Sequence, residues 1–424
     1  MRVLYQQDFV GGRTDDHYGH WQTVAGIIAG NGVSSTGSNF FLTFRGLAPN
    51  ANLINLRVLN QRGRGTDSGV IAAIQEAIQL KSKYNIRVIN LSLGRPVFES
   101  YTVDPLCQAV EQAWNAGIVV VVAAGNQGRD NSHGTQGYAT IQAPGNDPLA
   151  ITVGAMKSMG TPSRADDLIA SYSSKGPTLI DHIVKPDLVA PGNRVVSLLA
   201  STAQLQNKYH NNAVPLAAYE NTGSGALSNE YYIESGTSMA APMVSGAAAL
   251  LLQQNPNLTP DQVKARLMKT ATKDFPASST ATDPTTGVIY TSQYDIFTVG
   301  AGYLDVWAAL NNSDLTTLSA ASPTAGAPDS NGNVYIINSQ SAVWGSSAVW
   351  GSSAVWGSSV WVNGSCAVWG SSAVWGSSAV WGDSAVWVSS AVWGSSAVWG
   401  DSAVSGSTTQ DGAESVSIAI YGEN

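Results

Sequence analysis

From residue 23 to about residue 270 the chain alternates short, unbroken apolar runs with stretches in which apolar residues recur every three or four positions. Few folds accept that alternation. A strand that is apolar along its whole length must be covered on both faces, and a helix between successive strands supplies the cover. Buried strands are expected over 53–59, 88–93, 118–123 and 150–153. Between the first two, Val70, Ile71, Ile74, Ala77 and Ile78 fall at helical spacing, and Leu106, Val110, Ala113 and Trp114 do so between the next pair. Each is a β-α-β crossover, so the fold class is α/β, a three-layer arrangement of a mostly parallel sheet flanked by helices. Thr259-Pro260-Asp261-Gln262 starts a further helix, with Thr as cap, Pro at the first helical position and Gln reaching back. It should run to about Ala271. After Gly300-Ala301-Gly302, residues 306–310 read as a last short helix, which closes a domain at 1–312.

Residues 313–340, rich in Ser, Thr, Ala, Pro, Gly and Asn, read as a linker. Residues 341–404 then repeat Ser-Ala-Val-Trp-Gly-Ser/Asp, and ten of the 13 Trp stand in this array. Six is even, so in extended structure every copy turns its Trp to one face, which suits a stacked β-solenoid that binds a surface or polymer or self-associates. A loose low-complexity tail is the other reading, and residues 405–424 form a C-terminal tail. Charge divides in the same place. Residues 1–312 hold 22 acids against all 21 bases, a net −1, and the remainder holds seven acids and no base. Neither part carries the basic patch that nucleic-acid binding requires. No uninterrupted apolar run reaches about 18 residues, so no transmembrane segment is expected, and the first residues lack the apolar core of a secretory signal. Cys107 and Cys366 stand in different regions, which excludes a disulfide framework.

Three segments carry candidate chemistry. Ser238, in Ser235-Gly236-Thr237-Ser238-Met239-Ala240-Ala241-Pro242, precedes an apolar helix, whose free N–H groups and dipole stabilise an oxyanion formed by a nucleophile. A capping serine would look the same in isolation. Asn126, after Ala123-Ala124-Gly125, follows a buried strand at its carboxyl end, the edge where open α/β sheets hold ligands; a turn residue is the alternative. His20, in Asp16-His17-Tyr18-Gly19-His20, opens a small-residue helix and is placed to act as a general base. Asp15, Asp16, His17 and His20 meet no accepted metal-ligand spacing, so no metal is assigned.

Together these segments resemble the subtilisin-like serine protease family. The resemblance rests on Gly-Thr-Ser-Met-Ala-Ala-Pro, on Ala-Ala-Gly-Asn, and on Gly-His followed by Val-Ala-Gly. Asn90-Leu91-Ser92-Leu93-Gly94, Ser171–Pro177, Lys185–Gly192 and Gly300-Ala301-Gly302 extend it over roughly residues 17–312. It implies a serine endopeptidase, usually extracellular, acting on peptide or protein substrates, with Ser238 as nucleophile, His20 as base and Asn126 as oxyanion donor. It also implies two substrate-pairing edges, Gly63-Arg64-Gly65 and Ser92-Leu93-Gly94, and a primary pocket bounded by Ala123, Ala124 and Gly125. No cofactor follows from it. Structural calcium suits such a family, but Asp187 and the other scattered acids form no recognisable calcium loop.

Two departures stand out. Trp21-Gln22-Thr23 follows His20 where the family has Gly-Thr-His, and a Trp there is expected to overpack the helix by about 1–3 kcal/mol and push His20 aside. The family's aspartate, carried on a strand well before the histidine and followed closely by Gly, has no counterpart in Asp8, Asp15 or Asp16. The first core strand is therefore expected to be missing from the chain as written. Without its carboxylate, turnover in such triads falls roughly 10⁴-fold, so a peptide-binding pseudo-protease is the alternative to an active enzyme.

Overall fold

The computed structural model describes residues 2–325 except loop positions 13, 133, 201–202 and 284–285, together with residues 422–423 and the backbone of a few short strands between. The chain opens with β1 (Arg2–Asp8), α1 (His20–Ala29), β2 (Asn52–Arg57), the two-residue β3 (Gly65–Thr66) and α2 (Asp67–Tyr84). Next come β4 (Val88–Leu91), α3 (Pro105–Asn115), β5 (Val119–Ala123), β6 (Ile151–Lys157), β7 (Leu168–Ile169), β8 (Leu188–Pro191) and β9 (Val195–Leu198). After α4 (Gln204–Lys208), β10 (Ala213–Pro215) and β11 (Leu227–Glu234) lies the long α5 (Thr237–Gln254), followed by α6 (Pro260–Thr270). The hairpin β12 (Ser278–Thr282) and β13 (Ile289–Gln293), then α7 (Ile296–Val299) and α8 (Val306–Leu310), complete the domain.

β4, β5, β6 and β8 are parallel neighbours in that order, and β7 adds antiparallel pairing to the far end of β6. All five residues of β5 are buried, because α5 and α3 both pack on it. At about 25 cal/mol per Å² of apolar surface, such doubly covered valines are the main source of cohesion in the sheet. α3 starts where Asp104 caps the Leu106 amide and Pro105 takes the first helical position. α6 begins with the expected reciprocal cap between Thr259 and Gln262.

Packing continues past residue 312, where the sequence reading ended the domain. Ala320 and Ala325 are fully buried, and the Ser322 hydroxyl reaches Asp187 Oδ1 at 2.5 Å. Asp187 is itself clamped between Lys185 (2.7 Å) and Lys264 (3.0 Å), with all three side chains fully buried. Lys264 also donates to the carbonyls of Pro148 and Ala150, so this one cluster ties α6, the sheet and part of the expected linker together. Burial lowers the Lys264 pKa to about 7 despite its anionic neighbour, while the two lysines outweigh burial at Asp187 and hold its carboxyl below the usual range.

The sheet is divided at its other side. β1 and β2 form a separate parallel pair, and between β2 and β4 lies a cavity of about 230 Å³ walled by Ile54, Leu56, Ile74, Val88 and Ile89. Trp21 also lines this cavity. Overpacking of the helix was expected from Trp21; the residue is half-buried and borders this open space, as do His20 and Val24 of the same helix. Thr23, Val24, Ala25, Gly26 and Ile27 are buried.

α1 rests on β9 of a small antiparallel sheet ordered β10-β11-β9. A β-carbon on Gly26 would stand 2.3 Å from Ser197 Oγ, and that hydroxyl donates to the Thr23 carbonyl at 2.7 Å. Only glycine lets helix and strand approach so closely. The repeat array, and the solenoid expected for it, lie outside the described residues apart from short strand pairings. One of these sets Ala403–Val404 antiparallel to β3.

Candidate active site

Ser238 is the second residue of α5, after Gly236 at φ 140°, a conformation that side chains rarely adopt. A β-carbon on Gly236 would stand 3.3 Å from Asn126 Nδ2, so glycine also keeps that amide clear. The helix is set by the sheet beneath it. Ser245 Oγ donates to Asn90 Oδ1 (2.8 Å), Asn90 Nδ2 to Ser92 Oγ (2.9 Å), and Ser92 Oγ to the Ser238 carbonyl (2.8 Å). This relay fixes the α5 N-terminus against the end of β4.

Asn126 follows β5, past Gly125 at φ 109°. Its Oδ1 accepts from both the Thr237 amide (2.9 Å) and the Thr237 hydroxyl (3.0 Å). With that oxygen engaged, the amide orientation is set, and Nδ2 faces the space in front of Gly236 and Ser238. An amide N–H held in place beside a helix N-terminus forms a site for developing negative charge.

His20 opens α1 behind Gly19, at φ 110°. Its Nε2 lies 3.3 Å from the Ser92 carbonyl, and Ser238 Oγ lies 3.4 Å from that same oxygen. The two side chains thus converge on one backbone carbonyl. Asn126, Ser238 and His20 are brought together at the carboxyl ends of β4 and β5.

The acids of the N-terminal segment do not reach the imidazole. Asp8 pairs with Arg57 (2.6 Å), Asp15 with His17 (3.3 Å), and Asp16 accepts from the amides of Gly19 and Gln22, each at 2.7 Å. The carboxylate that His20 does meet was not singled out from the sequence: Glu234 Oε2 stands 3.2 Å from Nδ1. Glu234 ends β11 four residues before Ser238, and its side chain is 1% exposed. The available signal was a glutamate at the end of an alternating strand, just ahead of a nucleophile-like motif. Burial raises the Glu234 pKa against the opposing charge of His20. At His20, burial would lower the pKa, but the bond and charge of Glu234, the charge of Asp16 and the Ser92 carbonyl together raise it.

The expected edges are placed as follows. Ser92-Leu93-Gly94 extends past β4, and among the described residues no hydrogen bond occupies the backbone of Leu93 or Gly94. Gly63-Arg64-Gly65 forms a tight turn, with Asn60 N donating to the Arg64 carbonyl (2.8 Å) and Gly63 under the ring of Tyr18. Gly65 belongs to β3, the strand that meets Ala403–Val404. Ala123 and Ala124 are buried, and Ala124 is bonded to Val153 and Gln142 through its backbone. Among the described residues no group of three or more His, Cys, Asp or Glu side chains could hold a metal, and no helix is long and apolar enough to cross a membrane.

A family model described as the subtilase family matches residues 6–288. Serine protease AprX of Bacillus subtilis (strain 168) is 40% identical over 278 residues, covering 64% of this chain and 57% of AprX. Subtilisin DY of Bacillus licheniformis is 35% identical, covering 64% and 78%. An extracellular serine proteinase of Thermus sp. (strain Rt41A) is 35% identical over 62% of this chain and 48% of its own length. The chain thus spans from about half to about four fifths of these relatives. Among solved structures, a cold adapted subtilisin-like serine proteinase is similar at 28% identity and TM-score 0.45, over 64% of this chain and 76% of that one.

Proposed function

The chain belongs to the subtilase family, and from that membership we propose that it is a serine endopeptidase in which Ser238 is the nucleophile and His20 the general base. The observation that carries the reading is the convergence of Ser238 Oγ and His20 Nε2 beside an amide already oriented by Thr237. Ser238 Oγ attacks the scissile carbonyl carbon as its proton passes to His20 Nε2. The resulting oxyanion takes hydrogen bonds from Asn126 Nδ2 and the Ser238 amide. Collapse breaks the C–N bond, His20 returns the proton to the leaving amine, and an acyl ester remains on Ser238. Water, deprotonated by His20, completes hydrolysis by the same steps.

An extended substrate pairs with the open backbone of Leu93 and Gly94, and with Gly63-Arg64-Gly65 once Ala403–Val404 vacates β3. Main-chain pairing of this kind gives affinity with modest sequence demands, and a pocket beside Ala123, Ala124 and Gly125 adds a preference for an apolar side chain. Protein or peptide substrates outside the cell fit this chemistry. The division into a peptidase domain and a Trp-repeat attachment region is part of the same proposal.

A second reading has one observation in its favour. Both reactive side chains address the Ser92 carbonyl, which competes with the serine-to-imidazole hydrogen bond needed for attack. In that reading the groove binds extended peptides without turnover. A fluorophosphonate probe separates the two: rapid labelling of Ser238, absent in Ser238→Ala, supports the enzyme, and no labelling above that variant supports the binding module.

A further inference from the structure

We propose that Glu234 serves as the carboxylate partner that orients His20, the role of the third member of a nucleophile–base–acid relay. The inference rests on the reading of His20 as general base. It starts from an accounting of the acids near α1. Asp8, Asp15 and Asp16 are bound to Arg57, His17 and two backbone amides, and the carboxylate facing the imidazole from the opposite element is Glu234.

The contact follows from the fold. Glu234 is the last residue of β11, in register with Val195 of β9. β9 is pressed against α1 through Gly26 and the bond from Ser197 Oγ to the Thr23 carbonyl. Helix and sheet are thereby held at one separation, and a side chain leaving the end of β11 meets the first residue of α1. The distance of 3.2 Å between Oε2 and Nδ1 is within hydrogen-bond reach.

The consequence is chemical. A buried carboxylate on Nδ1 selects the tautomer with the proton on Nδ1, which leaves the Nε2 lone pair for the serine proton. When Nε2 takes that proton, the imidazolium donates from both nitrogens, to Glu234 on one side and the Ser92 carbonyl or the leaving group on the other. Glu234 touches no reacting atom and acts through His20, so it is a positioning residue. A buried, nearly unexposed glutamate whose one cationic partner among the described residues is a titratable His is costly to keep for packing alone. Asp16 and Tyr18 are the other titratable groups facing this pair, and Tyr18, its pKa raised to about 12 by burial and by Glu234, stays neutral through the working range.

The test compares the full chain with Glu234→Gln and Glu234→Asp. Glutamine keeps the size and loses the charge, and is expected to slow fluorophosphonate labelling of Ser238 by about 10²–10⁴-fold. It should also shift the acid limb of the labelling rate at least about one pH unit lower, because the imidazolium loses its counter-charge. Aspartate keeps the charge at shorter reach and should restore part of the rate. In parallel, ¹⁵N-histidine NMR on Ser238→Ala and Ser238→Ala/Glu234→Gln reads the His20 titration without any turnover. A fall in its pKa in the double variant upholds the pair even if the unsubstituted chain fails to label, in which case only the enzymatic reading falls. Labelling that proceeds in Glu234→Gln within twofold of the unsubstituted rate, or a His20 titration that does not move, overturns the role of Glu234 and leaves the enzymatic reading standing. Should Glu234→Gln not fold, the unsubstituted chain decides: a His20 pKa at or below the ordinary 6.5 overturns the proposal.

Discussion

The two ends of the candidate site are built differently. The Ser238 end stands on the central sheet, where α5 is buried against β4, β5, β6 and β8 and a chain of side-chain bonds runs from Ser245 through Asn90 and Ser92 to the Ser238 backbone. The His20 end stands on α1, which borders the cavity between β2 and β4 and packs against α5 and β9. One end has its geometry set by many mutually dependent contacts. The other rests on the packing of α1 against α5 and β9, the latter through Gly26, and on the contact between His20 and Glu234.

That contrast can be broken or sharpened by substitution. The largest effect is expected for Ser238→Ala, which should abolish fluorophosphonate labelling and reduce peptide hydrolysis by about 10⁶-fold, as loss of a nucleophile does where the triad acts as a unit. Active-site titration with mass spectrometry reads it. Asp187→Asn addresses the rigid half, far from the chemistry in role. It leaves Lys185 and Lys264 buried without their counter-charge and should cost about 3–5 kcal/mol in denaturant unfolding. A loss under about 1 kcal/mol would show that this half is not held as described.

Asn126→Ala is expected to lower kcat by about 10²–10³-fold with little change in KM, because the amide meets charge that exists only in the transition state. An equal rise in KM with unchanged kcat would assign Asn126 to substrate binding instead. The smallest effect belongs to Trp21→Phe. An indole that lines a cavity leaves no strain to relieve, so stability should change by less than about 1 kcal/mol and the labelling rate of Ser238 by less than about threefold. Marked acceleration would restore the idea that Trp21 displaces His20.

Much of the fold was legible. The fully buried strand β5 and the helices α2 and α3 stand where apolar runs and helical spacing put them, and the α6 cap follows from Thr259 and Gln262, whereas 53–59, expected as a buried strand of the same sheet, forms the half-buried β2 of a separate pair. These are local signals, since periodicity and capping depend on neighbours in the chain. The packing past residue 312 was not legible because residues 313–325 are polar and small in composition, yet Ser322 meets a buried charge cluster assembled from residues 135 and 58 positions away. No local pattern reports such a partner.

At the site, Gly-Thr-Ser-Met-Ala-Ala-Pro and Ala-Ala-Gly-Asn marked Ser238 and Asn126 by their resemblance to family motifs, and the structure places a positive-φ glycine, Gly236 or Gly125, just ahead of each. His20 was legible from its place before Val24-Ala25-Gly26. The family's aspartate has no counterpart in the preceding nineteen residues, and the carboxylate that the structure sets against His20 stands 214 positions later. Sequence by itself determined which elements form and singled out Ser238, Asn126 and His20 as candidates, since backbone propensity, packing stripes and motifs are short-range properties. Tertiary structure alone decided which acid faces the imidazole, because a hydrogen bond is satisfied by proximity in space, and the approach of β11 to α1 is set by how closely Gly26 lets β9 pack.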